Sequence, residues 1–134
     1  MRTLLFLGAI AALACGCRAL SSDFRISGTV TIASSLQGRA LPNNSVLFII
    51  AKNTGGIPVA VCRIVNPQFP VSFSLTPEDL LVPAAPPQAP LVLQVEMNTH
   101  GNVGAPARGD LEGSRPDPVT PVERDVHIVI DRQV

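Results

Sequence analysis

Val46-Leu47-Phe48-Ile49-Ile50-Ala51 is an unbroken apolar run, and Asn53-Thr54-Gly55-Gly56 follows it with turn-forming residues. A second run, Val59-Ala60-Val61-Cys62-Arg63-Ile64, and an alternating third, Val71-Ser72-Phe73-Ser74-Leu75, complete the stretch from Ser45 to Leu75. Short β-branched runs broken by Gly, Asn and Pro predict antiparallel strands. The first run is apolar on both faces, so it is expected at the centre of a sheet covered on both sides. Phe48 and Phe73 are then expected between two sheets.

The flanks extend the same pattern. Upstream, Phe24, Ile26, Gly28, Val30 and Ile32 alternate with Arg25, Ser27, Thr29 and Thr31, which is the period of a half-buried strand. Ser34 to Gly38 has room for one helical turn before the loop at Leu41-Pro42-Asn43-Asn44. Downstream, Pro70 is expected at a strand start, where no ladder donor is needed. Thr76-Pro77-Glu78-Asp79 looks like a helix start that Pro83 soon stops. Half the residues from Pro83 to Pro90 are proline, which predicts an extended polyproline segment. Leu91, Leu93, Val95 and Met97 alternate with Val92, Gln94, Glu96 and Asn98 as a fifth strand that turns at Thr99-His100-Gly101-Asn102. A long Pro/Gly loop then runs through Arg124, and Val126, Ile128 and Ile130 form a last strand.

Composition agrees. The 134 residues suit one domain, and 13 prolines with 10 glycines leave little room for long helices. Trp and Tyr are absent, so the core must be aliphatic with help from five Phe. Formal net charge is zero, Lys52 is the only lysine and the arginines are scattered singly, which argues against a nucleic-acid surface. The expected fold is all-β, an immunoglobulin-like antiparallel β-sandwich of about six to seven strands spanning residues 24–134.

The start of the chain has the pattern of an export signal, and export is expected. Met1-Arg2-Thr3 is followed by an apolar stretch, Leu4 to Leu13, that falls short of the ~20 residues a membrane span requires. Small residues then precede Cys15-Gly16-Cys17, a pattern similar to a bacterial lipobox. Residues 1–16 are expected as a lipoprotein signal peptide, Cys17 (or Cys15) as the lipidated residue, and residues 17–23 as a tether. Acylation would hold the protein in the cell envelope facing the periplasm, since each buried methylene contributes about 0.8 kcal/mol. Arg18 or Gly16, rather than Asp, follows the cysteine, which favours the outer membrane in the enteric sorting rule.

A family likeness rests on several segments in order. They are Gly28-Thr29-Val30-Thr31, Val46 to Ala51, Pro58 to Arg63, Phe69 to Leu75, the Gly109-Asp110-Leu111-Glu112-Gly113-Ser114 loop, and Val129-Ile130-Asp131-Arg132. Together they resemble the C-terminal periplasmic Ig-like domain of the c-type cytochrome biogenesis protein CycH family, here expected as a stand-alone lipoprotein. The resemblance covers nearly the whole chain after the signal. It departs at Val95 to Gly101, where the family has Ala-Arg-x-Ser-x-Ser-Gly. It implies a role in holding unfolded apocytochrome c for haem ligation.

No residue pattern points to catalysis. His100 and His127 have no neighbouring activated Ser or Cys. Cys62, Met97 and His100 are donor types that select copper, but no spacing unites them, so no metal and no cofactor is expected. Cys62 is expected as a small strand hydrophobe, and His127 on the wet face of the last strand. Asp110 is expected to fold onto its own backbone or to pair with Arg63 or Arg132, in preference to a catalytic carboxylate pair with Glu112, which no pocket-forming aromatics surround. The expected function is therefore non-catalytic binding of a polypeptide partner, an exported protein or peptide such as apocytochrome c or a haem-ligation component. The alternative is a structural envelope lipoprotein without a role in cytochrome biogenesis. Because Pro83 to Pro90 cannot fully occupy a neighbouring edge, the Leu91–Asn98 strand is expected to be left partly unpaired, with Gln94, Glu96 and Asn98 lining the peptide-binding face.

Overall fold

The structure is a computed structural model that describes residues 23–39 and 43–134. The expected signal peptide, most of the tether, and Cys15 and Cys17 lie outside the described residues.

Among the described residues, seven strands account for the architecture: β1 (Ile26–Ile32), β2 (Val46–Lys52), β3 (Pro58–Val65), β4 (Val71–Leu75), β5 (Val92–Asn98), β6 (Leu111–Ser114) and β7 (Val126–Gln133). They join in one hydrogen-bonded order, β3-β2-β5-β6-β7-β1-β4. One buried cluster draws on all of them, so the sheet must fold over on itself to bury a common face. Its two edges, β3 and β4, accordingly come back into contact. An isolated bridge between Ala60 and Leu80 ties the segment after β4 onto β3. The result is the expected immunoglobulin-like sandwich, with one departure from antiparallel pairing: β1 runs parallel to β7, from Gly28 opposite Val126 to Ile32 opposite Ile130.

Local chemistry explains the connections. The β2–β3 hairpin closes on Asn53, whose Oδ1 accepts from the N–H groups of Gly55 and Ile57, both at 3.0 Å. Ser34–Arg39 and Pro77–Asp79 are short 3-10 turns. The second is fixed by Asp79, whose carboxylate accepts from the Thr76 backbone N–H at 2.8 Å. The proline-rich stretch opens with a turn, the Ala85 N–H donating to the Val82 carbonyl at 3.0 Å, so it is not extended throughout.

Three expectations are corrected. Leu111–Ser114, expected as loop, is a strand between β5 and β7. The Leu91–Asn98 strand is not an open edge. β5 pairs with β2 over seven residues, Lys52 opposite Val92 through Val46 opposite Asn98, and with β6 on its other side. Finally, Phe48 is buried but does not belong to the core cluster that holds Phe73. Leu47, Ile49 and Ala51 take the inner face of β2, and strand alternation turns Phe48 and Ile50 to the outer one.

Two glycines set how closely β7 is flanked. A Cβ on Gly28 of β1 would overlap the Val126 carbonyl oxygen, and one on Gly113 of β6 would overlap that of Val129. Backbone cannot give way as a flexible side chain can, so each Gly→Ala change should destabilise by about 1–3 kcal/mol or more. Gly38 faces open space. Urea unfolding should therefore show lowered midpoints for Gly28→Ala and Gly113→Ala, and little change for Gly38→Ala; equal midpoints in all three would refute the close approach.

Candidate binding groove

The outer face of β2 and β5 carries the candidate site. Register places Phe48 between Glu96 and Arg63, and Ile50 between Gln94 and Val61. Ile50 and Val61 form the floor of a groove of about 550 Å³ that Pro58 and Lys52 also line. Leu81 stands on one side and Val103 with Gly104 on the other. Leu81 is 55% exposed and Val103 43%, so both apolar walls face water. A concave, mainly apolar surface with a few polar groups has the composition of a binding site.

Backbone hydrogen bonds and β5 side chains hold the walls. The Leu81 N–H donates to the Val59 carbonyl at 2.9 Å, which seats Leu81 against β3. On the other side, Glu96 Oε2 accepts from the Gly104 N–H at 2.9 Å. Asn98 Oδ1 accepts from the Gly101 N–H at 2.8 Å, and its Nδ2 donates to the Asn102 carbonyl at 3.0 Å. Asn98 is 1% exposed, with its amide committed to shaping this loop. Gln94 Oε1 accepts from Lys52 Nζ at 2.6 Å. Of the three residues expected to line a peptide site, Glu96 lines the groove, Gln94 positions Lys52, and Asn98 shapes a wall.

His100 and Asp110 fasten the same loop at its far end. The His100 Nδ1 accepts from the Asn102 N–H at 3.2 Å, which leaves the ring proton on Nε2 to donate to Asp110 Oδ2 at 2.7 Å. The same oxygen accepts from the Ala107 N–H at 2.7 Å. Asp110 thus folds onto backbone, as one expectation had it, but its side-chain partner is His100 rather than Arg63 or Arg132. Arg132 lies instead beside Glu112, at 3.8 Å. Both imidazole nitrogens are engaged, so the pair acts as a staple and has no free nitrogen to activate a nucleophile.

The remaining singled-out residues lie apart. Cys62 and Met97 point to the inner face while His100 sits on the outer loop, so the three soft donors are not brought together. His127 is exposed on β7, with Nε2 2.9 Å from Thr31 Oγ1. Burial pushes the Cys62 thiol above its ordinary pKa, and the Asp79 carboxylate adds to the shift.

The cytochrome c-type biogenesis protein H Ig-like domain is a family whose model matches residues 26–131, from the first residue of β1 to within β7. The chain belongs to that family. No curated protein and no solved structure matches it. Every groove residue of this CycH Ig-like domain falls inside the matched span. Lys52, Leu81 and Val103 were not singled out from the sequence, although each left a trace there. Lys52 is the only lysine and ends an apolar strand, while Leu81 and Val103 are apolar residues in otherwise loop-like segments.

The Cys62 environment of the CycH domain has a direct chemical consequence. Alkylation consumes thiolate, so at pH 8 folded Cys62 should react with iodoacetamide more slowly than in the urea-unfolded chain. Asp79→Asn removes the smaller cause and should move the pH profile down, yet leave it above that of the unfolded chain. Mass mapping of the Cys62 peptide measures both; a profile matching the unfolded chain would contradict the assigned burial.

Proposed function

We propose that this CycH Ig-like domain is a non-catalytic, exported binding module of c-type cytochrome maturation. It is held at the periplasmic side of the envelope, at the outer membrane, by an acylated Cys17 (or Cys15). Its ligand is an extended segment of an exported polypeptide, apocytochrome c or a haem-ligation component. Family membership supports the link to cytochrome maturation. The observation that carries the binding reading is the apolar groove between Leu81 and Val103 over the Ile50–Val61 floor. Backbone addition at β5 is replaced in this reading, because both its neighbours already occupy its hydrogen-bonding groups. Side-chain capture in the groove takes its place, with micromolar affinity, since ordering a flexible chain offsets much of the gain.

Two measurements test this. Titration of the protein with apocytochrome c peptides should shift the backbone amides of Ile50, Val61, Leu81 and Val103, and Val61→Asp should weaken binding at least tenfold. Shifts absent at millimolar peptide would leave the structural-lipoprotein alternative in its place. The anchor is tested separately by metabolic labelling with a fatty-acid probe. Label should disappear from the Cys15→Ala, Cys17→Ala double variant; unchanged labelling and processing would remove the lipid anchor from the proposal.

A further inference from the structure

The groove holds two formal charges of opposite sign. Glu96 is 6% exposed; its Oε2 takes the Gly104 N–H, while Oε1 has no hydrogen-bond partner among the described residues and is not sealed from solvent. Among those residues no cation lies within ion-pair distance of it. Lys52 likewise has no carboxylate partner there and donates only to the neutral Gln94 side chain. A charge held in apolar surroundings is costly unless something pairs with it. Here both remain unpaired while lining the same groove.

Their spacing has a definite length. Glu96 stands opposite Phe48, and Lys52 lies four residues farther along β2, with Ile50 at the outward position between them. At about 3.4 Å per residue, plus the step between strands, the Cα atoms of the two residues are roughly 14 Å apart with Ile50 between them, and Lys52 Nζ leans from its end toward Gln94 on β5. An extended peptide has the same period of two, so its residues i, i+2 and i+4 face one way across about 13 Å.

Resting on the groove as a peptide site, we infer that it selects an extended segment with an acidic and a basic side chain at i and i+4 around an apolar residue at i+2. The acidic group meets Lys52, the basic group meets Glu96, and the apolar side chain lies against Val61 beside the already buried Ile50. Chain direction is free to reverse, because either direction presents the same three side chains. Pairing in a partly dehydrated groove supplies selectivity as well as attraction.

The test uses the full-length protein in detergent and fluorescein-labelled nonapeptides, read by anisotropy. A peptide with Glu and Arg at i and i+4 and Leu at i+2 should bind about tenfold tighter than one of the same composition with the charges at i and i+3. It should exceed peptides bearing two Glu or two Arg by a similar factor. Lys52→Glu should abolish this preference and favour the two-Arg peptide, while Lys52→Arg should retain it; amide spectra confirm that both variants are folded. Binding of the whole set within twofold, but weakened throughout by Val61→Asp, would overturn the charge recognition and leave the groove reading intact. Absence of binding by every peptide would overturn both.

Discussion

The seven-residue pairing of β2 with β5 is the constraint on which the rest depends. β2 carries large apolar side chains on both faces, Leu47 and Ile49 inward and Phe48 and Ile50 outward, and all four are buried. Full burial of each such side chain contributes about 1.5–3 kcal/mol, so neither face can be left to water. The inner face is covered by the folded-over sheet. The outer face is covered by loops, since among the described residues no second sheet lies there. Those loops, around Leu81 and Val103, do not meet, and the space between them is the groove.

This arrangement also accounts for the polar groups beneath the loop. Glu96 and Asn98 are buried on a strand whose other side is core, an unfavourable position for polar atoms unless they are hydrogen-bonded. Each accepts or donates to backbone groups of residues 101–104, which an irregular loop cannot satisfy within itself. The loop and the strand satisfy one another, and Asp110 with His100 closes the far end of the same structure.

Most of the fold is legible in the sequence because its strands announce themselves by period or by continuous apolarity. β6 is the exception: Leu111-Glu112-Gly113-Ser114 has one large hydrophobe, and its inward Gly113 is small because backbone packs against it. The central place of β5 is illegible for another reason. Its partner β2 is some forty residues away, and a local proline-rich segment says nothing about which strand ends up beside it. The face taken by Phe48 is ambiguous for the same run that made β2 easy to find, since a strand apolar at every position has no parity to read. Glu96 was visible as an outward residue of an alternating strand. Lys52, Leu81 and Val103 converge from three separate segments, and only the tertiary structure unites them.

The parallel pairing of β1 with β7 governs how the domain bears a load. Residues 23–25 lead into β1 beside the start of β7, whereas β7 runs on past the far end of β1 to Gln133. Tension applied between those two points slides the strands lengthwise, so the five paired positions from Gly28–Val126 to Ile32–Ile130 are strained together. A hairpin pulled at its open end would instead unzip one rung at a time. The first and last of the described strands therefore form a mechanical clamp in shear.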